Sequence, residues 1–214
     1  MKRATPIVPT IIVLLAALLM VRLGFWQLHR LHEKEALLAR YSANQSKPPL
    51  PLAALFPVTD DALYRRTSAT CLGVVSWMAE AGRAADGQSG WRHIAACRTG
   101  AEGPGVLVDM GISADATAPA WKGGPIRGRL TWAPSSEPLV ARLFAAPPAP
   151  TPMIVSDTPA PGLRPTAQPN PADVPNNHLS YAVQWFLFAG VALIVYGAAL
   201  WQRARKVALT PPSR

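Results

Sequence analysis

Charged side chains are scarce in this sequence, and acidic ones are the scarcest. Asp, Glu, Lys and Arg make up 15% of the 214 residues, and 12 acidic residues stand against 21 Lys and Arg, which leaves a net charge of +9. Clustered basic residues would indicate nucleic-acid binding. Here the Arg and Lys residues are scattered or flank the hydrophobic ends, without a run of five or more, so we expect no nucleic-acid partner.

Cysteines and catalytic motifs are equally sparse. Cys71 and Cys97 are the only cysteines, and they lack the short C-x-x-C spacing of redox pairs and zinc sites. They form either a disulfide, in an oxidising compartment, or two separate buried strand residues. The sequence contains no G-x-S-x-G, no H-E-x-x-H, no phosphate-binding Gly loop and no C-x-x-C-H haem attachment motif. We therefore do not expect an enzyme.

Two long hydrophobic runs dominate what the sequence does contain. The first extends from Ile7 to Trp26 with a single charge, Arg22, and the second extends from Leu179 to Trp201 with none. About 20 apolar helical residues span the hydrocarbon core of a bilayer, so we predict transmembrane helices over residues 7–28 and 179–201. Arg22 is near enough to the end of its run to carry its guanidinium into the headgroup layer.

A secretory signal peptide is the alternative for the first run, because Lys2 and Arg3 precede it. The run is long for a signal peptide, however, and no A-x-A-like cleavage site follows it. Arg203, Arg205 and Lys206 follow the second run, which places the C-terminus in the cytoplasm. Two spans put both ends on one side, so residues 1–6 and 202–214 are expected to be cytoplasmic.

The topology then places residues 29–175 in the periplasm as an exported domain. The protein itself is expected in the inner (plasma) membrane, where its two helices contact membrane lipid. This segment contains short strand-like runs separated by Gly and Pro, which is typical of a mainly antiparallel β domain. The predicted strands are Tyr64 to Cys71, Val74 to Met78, Trp91 to Cys97, Val106 to Asp109 and Ile126 to Trp132. The fold class is therefore an α+β membrane protein in which two transmembrane helices flank this extracytoplasmic domain.

Ten prolines lie between Pro147 and Pro175. Proline lacks the N–H that a sheet requires and breaks helices, so this density argues against a regular helix and against a central strand. We predict an extended connector over residues 147–175 that returns the chain to the membrane, with room to lie against the domain surface.

His178 stands just before the second hydrophobic run. On a helical period of 3.6 residues it shares a face with Tyr181, Ala182, Trp185 and Ala189. An aromatic face lined with small residues and a histidine at its mouth is suited to a flat apolar ligand such as haem. The alternative is a helix-packing face whose small residues lie at the contact.

Five motifs extend across nearly the whole sequence. The first, near the end of the first run, is Leu23-Gly24-x-Trp26-Gln27-x-x-Arg30-x-x-x-Lys34. The others are Tyr64-Arg65-Arg66, Val106-Leu107-Val108-x-x-Gly111, Gly128, and Asn176-Asn177-His178-Leu179-x-Tyr181-Ala182-x-x-Trp185-Phe186. With these motifs the chain resembles the Surfeit locus protein 1 family of cytochrome oxidase assembly factors. It departs from the family at Asp109-Met110-Gly111-Ile112, where the family usually has Asn-Arg-Gly-Trp.

The resemblance implies a factor, not an enzyme, that receives or holds haem a for the catalytic subunit of haem-copper cytochrome c oxidase. Oxidase subunit I and other assembly factors would be its partners. It also implies that His178 ligates the haem iron. From their helical positions we expect Trp26, Gln27, Tyr181 and Trp185 to line the haem site. The alternative function is a membrane scaffold without a cofactor that stabilises an oxidase assembly intermediate.

Overall fold

The computed structural model describes residues 6–100, 105–134 and 149–209. These residues form a long helix at each end of the chain, α1 (Ile7–Ser46) and α2 (His178–Leu209), with seven strands between them. The strands are β1 (Leu50–Pro51), β2 (Arg66–Cys71), β3 (Gly73–Arg83), β4 (Ser89–Arg98), β5 (Val106–Ser113), β6 (Gly124–Trp132) and β7 (Pro152–Ser156). The expected fold class, two terminal apolar helices flanking a mainly antiparallel β domain, is confirmed.

The chain divides into two compact units. A helical unit combines Met1–Leu37 with Pro175–Arg214, and a β unit comprises Leu38–Val174. The predicted transmembrane spans, residues 7–28 and 179–201, lie within α1 and α2 respectively.

Both helices are long and apolar enough to cross a membrane. Only 11% and 6% of their most apolar 18-residue stretches are buried, so nearly all of these apolar side chains face outward and are stabilised by transfer out of water. The two helices therefore support association with a membrane. The expected cytoplasmic ends, residues 1–6 and 202–214, fall partly outside the described residues, and the orientation of the chain stays a prediction.

The β unit is built on one seven-stranded sheet with the order β1-β2-β6-β7-β5-β4-β3. Two neighbouring pairs, β1 with β2 and β5 with β7, are parallel, and the other four are antiparallel. Although β2 and β3 stand far apart in this order, only Leu72 separates them along the chain. The sheet must therefore coil so that β2 approaches β3, which the natural twist of strands allows.

A row of side chains across the middle of the sheet forms its core. Ala95 of β4 is paired with Val108 of β5, Val108 with Ile154 of β7, and Ile154 with Leu130 of β6. All four are completely buried. Residues paired across strands point to the same side of a sheet, so this register places one apolar face inside the coiled sheet.

The five strands predicted from the sequence correspond to β2 to β6. The strands β3, β4, β5 and β6 are longer than predicted, whereas β2 begins at Arg66 rather than Tyr64. Tyr64 has a φ of 65°, a left-handed conformation that is incompatible with a regular strand.

The expectation that the proline-rich segment contains no central strand is wrong. β7 lies inside residues 147–175 and pairs with β5 on one side and β6 on the other. Pro152 is its first residue, where a missing N–H is tolerated, and Met153 to Ser156 are free of proline and buried. Pro147 and Pro148 lie outside the described residues.

The rest of that segment, residues 157–173, which we call the return segment, does lie against the sheet. Arg164 exchanges both backbone hydrogen bonds with Ile112 of β5, and Ala160 N–H donates to the carbonyl oxygen of Met110. Between these contacts Gly111 has a φ of 125°, and a Cβ atom there would lie 2.6 Å from the carbonyl oxygen of Arg164. Glycine is therefore required for the return segment to approach β5 this closely.

Cys71 and Cys97 are joined by a disulfide. Cys71 ends β2 and Cys97 lies in β4, and both are buried. The bond therefore links two strands that are not neighbours in the sheet, and of the two alternatives left open by the sequence the disulfide is the one observed.

Candidate functional site

Small residues at intervals of seven line the contact between α1 and α2. Ala17 and Gly24 are buried on α1, and Ala182 and Ala189 are buried on α2. A seven-residue interval keeps side chains on one side of a helix and is typical of two helices that pack side by side. Small residues allow the two backbones to approach closely within a membrane. The helix-packing face considered from the sequence is therefore present, and we call it the seam.

Polar pairs mark the two ends of the seam. Thr10 Oγ1 lies 2.6 Å from the hydroxyl oxygen of Tyr196, and Gln27 Oε1 lies 2.7 Å from Nδ1 of His178. Residue numbers rise along one helix as they fall along the other, so the two helices are antiparallel. Each polar pair satisfies groups that would be costly to leave without a partner in hydrocarbon.

Gly24 provides the room for an aromatic side chain near the Gln27 end. A Cβ atom on Gly24 would lie 2.6 Å from Cε1 of Phe186. The Phe186 ring also meets Phe25 edge to face, with ring centroids 5.3 Å apart, a favoured aromatic geometry. The phenyl ring of Phe186 therefore occupies the space on α1 that a side chain larger than glycine would need.

His178 is the first residue of α2 and is half-buried. Because the amide oxygen of Gln27 can only accept a hydrogen bond, Nδ1 of His178 carries the proton in this contact. The neutral imidazole then has its lone pair on Nε2. No hydrogen bond joins Nε2 to another group among the described residues. Gln27 therefore fixes the orientation of the ring through Nδ1.

The other three residues predicted to line the site make no hydrogen bond to this pair. Trp26 and Tyr181 expose 52% and 51% of their surfaces. Trp185 is half-buried and meets Phe188 edge to face, with centroids 6.3 Å apart. Within the described part of the chain the structure thus brings together Gln27 and His178, whereas the involvement of the three aromatic residues stays a prediction.

Gly24, Phe186 and Asn176 were not among the predicted site residues. Gly24 and Phe186 both belong to the terminal motifs, but which aromatic ring faces which glycine depends on the register of the two helices. Asn176 belongs to the last of these motifs. Its side-chain Oδ1 is buried, with no hydrogen-bond partner among the described residues, so it is a buried acceptor two residues before His178.

A second polar cluster lies in the β unit, where the chain departs from the family motif. Asp109 is buried in β5, and its Oδ1 accepts hydrogen bonds from the hydroxyl of Thr166 at 2.6 Å and from the backbone N–H of Gly111 at 3.1 Å. Its Oδ2 lies 3.8 Å from Nε of Arg92. Burial raises the pKa of Asp109 to about 6, although these hydrogen bonds and the Arg92 charge act in the opposite direction. The cluster fastens the return segment to β5.

The chain folds into a β domain and two apolar helices, one on each side of it in the sequence, and the helices pair through a glycine and two polar contacts. These features define a class of membrane-associated protein with an apolar helix at each end. The model of the SURF1 family matches residues 14–190, so the match includes most of α1, the whole β unit and the first part of α2, residues 178–190. The chain belongs to the SURF1 family, which is known as a family of cytochrome oxidase assembly factors. No curated protein sequence matches the chain.

Proposed function

We propose that this protein serves the maturation of haem-copper cytochrome c oxidase by holding haem a where His178 meets Gln27, for transfer to the catalytic subunit. The observation that carries the proposal is the 2.7 Å hydrogen bond between His178 Nδ1 and Gln27 Oε1. Histidines that bind metals usually donate their other ring N–H to a fixed acceptor, which orients the ring and makes the ligating nitrogen more basic. Gln27 provides such an acceptor.

The residues around His178 fit a haem group. The imidazole offers Nε2, a common axial ligand of haem iron. Phe25 on α1 and Phe186 and Trp185 on α2 offer aromatic side chains of the kind that pack on a porphyrin, and the buried Oδ1 of Asn176 is an acceptor without a described partner. Bound haem a would supply a redox-active iron that His178 would ligate, while the protein's part is to hold His178 in one orientation.

The proposal includes the location and orientation of the chain. Both termini would be cytoplasmic at the inner (plasma) membrane, with the β unit in the periplasm. Two features support this: Arg203, Arg205 and Lys206 follow the second apolar run, and disulfides such as Cys71–Cys97 persist in oxidising compartments. On this account His178 lies at the periplasmic boundary of the bilayer, and oxidase subunit I is the partner that receives haem.

The test is the haem a content of full-length protein purified from membranes of cells that make haem a. We expect wild-type protein to retain haem and His178→Ala to lose it. His29→Ala is the matched control, because His29 is an exposed histidine near the same end of the α1 seam and pairs with Glu33 rather than with α2.

The His29→Ala variant should retain haem as the wild type does. If His178→Ala retains as much haem as the wild type, the proposed ligand is wrong. If wild-type protein contains no haem but still co-purifies with oxidase subunit I, a scaffold without a cofactor is the correct function.

A further inference from the structure

Arg22 is the only Asp, Glu, Lys or Arg residue between Ile7 and Trp26. It lies two residues before Gly24 and five after Ala17, both of which face α2. With 3.6 residues per turn, these intervals place Arg22 about 140° to 160° round the α1 axis from the seam. Arg22 is exposed, and its charge therefore faces away from the helix with which α1 is paired.

Among the described residues of the helical unit, this charge has no partner. The second apolar run, from Leu179 to Trp201, contains no Asp or Glu. Within the described residues no hydrogen bond or ion pair involves Arg22. Charged side chains inside a membrane are costly, and they usually face the interior of a helix bundle, where they pair with another group. A single Arg on the outward face of a helix pair departs from that rule.

The guanidinium of Arg22 reaches the lipid headgroups less easily than the short distance from Arg22 to the end of the apolar run indicates. The nearer boundary is at Trp26, one helical turn, or about 6 Å, towards the C-terminus. The Cα–Cβ bonds of an α-helix tilt towards the N-terminus, and long side chains follow that tilt. From Arg22 this direction leads deeper into the hydrocarbon. The guanidinium would have to turn back along the helix to reach the nearer headgroups.

We propose that the outward face of α1 around Arg22 docks onto a transmembrane helix of a partner protein that carries an Asp or Glu side chain at the same depth. Arg pairs with a carboxylate through two parallel hydrogen bonds, which gives the contact a defined geometry. Leu18 lies one turn before Arg22 and Leu15 two turns before it on the same face; both are exposed and supply the apolar part of the contact. The inference depends on the helices spanning the membrane, not on haem binding.

The experiment uses full-length protein with a photoreactive amino acid in place of Leu18, cross-linked in intact membranes. We expect an adduct with one transmembrane helix that contains Asp or Glu, and we expect its yield to fall about tenfold in Arg22→Gln. Arg22→Lys should keep much of the yield. Exchanging the charges, with Arg22→Glu here and Arg in place of the partner's carboxylate, should restore it.

The matched control has the photoreactive residue in place of Ile194. Ile194 lies five residues after Ala189, the same interval that separates Arg22 from Ala17, so it faces outward from α2, and it is 72% exposed. Its cross-links should not depend on Arg22. The proposal would be overturned if the Leu18 probe formed adducts with lipid alone or with a helix that has no acidic residue. A yield that does not change in Arg22→Gln would also overturn it. Haem content measured on the same preparations separates this result from the His178 proposal.

Discussion

A Cβ atom on Gly24 would lie 2.6 Å from Cε1 of Phe186, because the Phe186 ring of α2 lies directly against this glycine of α1. Gly24→Leu should therefore separate the helices or displace the Phe186 ring. Overpacking of this kind costs about 1 to 3 kcal/mol, and we expect a lower thermal midpoint for the helical signal of the protein in detergent.

Gly190→Leu is the matched control for this change, because a Cβ atom on Gly190 would meet nothing within 4 Å. Its midpoint should equal or slightly exceed that of the wild type, since glycine is a poor helix former. Equal midpoints for Gly24→Leu and Gly190→Leu would contradict the close packing of the helices at Gly24.

Asp109 makes the stability of the β unit depend on pH. Its pKa is about 6 in the folded protein against an ordinary value of 3.8. The folded state therefore binds more protons than the unfolded state between those values, and the free energy of unfolding falls as the pH rises through this range. The carboxylate contributes a destabilisation of up to about 3 kcal/mol above pH 6.

Asp109→Asn should remove this pH dependence. The amide keeps an oxygen that accepts the Thr166 and Gly111 hydrogen bonds, while Arg92 keeps its 3.1 Å contact with Glu80. Denaturant unfolding at pH 4.5 and 7.5 measures the effect, and the variant should gain stability relative to the wild type mainly at the higher pH. A variant less stable than the wild type at pH 7.5 would mean that the charged form of Asp109 is stabilised instead.

The Cys71–Cys97 disulfide should stabilise the β unit. The two cysteines are 26 residues apart, and closing a loop of that length contributes about 3 to 4 kcal/mol by restricting the unfolded chain. A reducing agent should therefore lower the denaturant midpoint of the wild type. The double variant Cys71→Ala/Cys97→Ala should start from a lower midpoint and respond to no reductant. An unchanged midpoint for reduced wild-type protein would show that the bond does not contribute.

Gln27 should act on haem only through His178. We expect Gln27→Ala to weaken haem binding about 10- to 100-fold, because the imidazole loses the acceptor that orients it, while the haem spectrum of the bound fraction stays that of a histidine complex. Titration of apo-protein with haem measures the affinity. Gln184→Ala is the control, since Gln184 is an exposed glutamine on α2. Unaltered affinity in Gln27→Ala would remove Gln27 from the account.

Hydrophobic length and strand periodicity were enough to predict both helices and the strands β2 to β6. β7 was missed because proline density was applied to a whole segment, although Met153 to Ser156 form a short buried run inside it. A central strand needs only a few residues without proline. The return segment also contains prolines, but it lies on the sheet and does not form a strand.

The candidate site was only partly predictable for a different reason. A helical period shows which residues of one helix share a face, but it does not show which side of that face meets the other helix. Tyr181 and Ala182 were assigned to one face, yet Ala182 lies in the seam and Tyr181 is half exposed. The contact between Gln27 and His178 joins positions 151 residues apart, and it depends on the register of the two helices.

The most direct test of the haem proposal is chemical rescue of the His178 side chain. Full-length His178→Gly, purified from cells that make haem a, should lack the haem absorption of the wild type, and adding imidazole during haem loading should restore it, because free imidazole can occupy the vacated ligand position. Wild-type haem absorption in His178→Gly without added imidazole would contradict the assignment of His178 as the ligand.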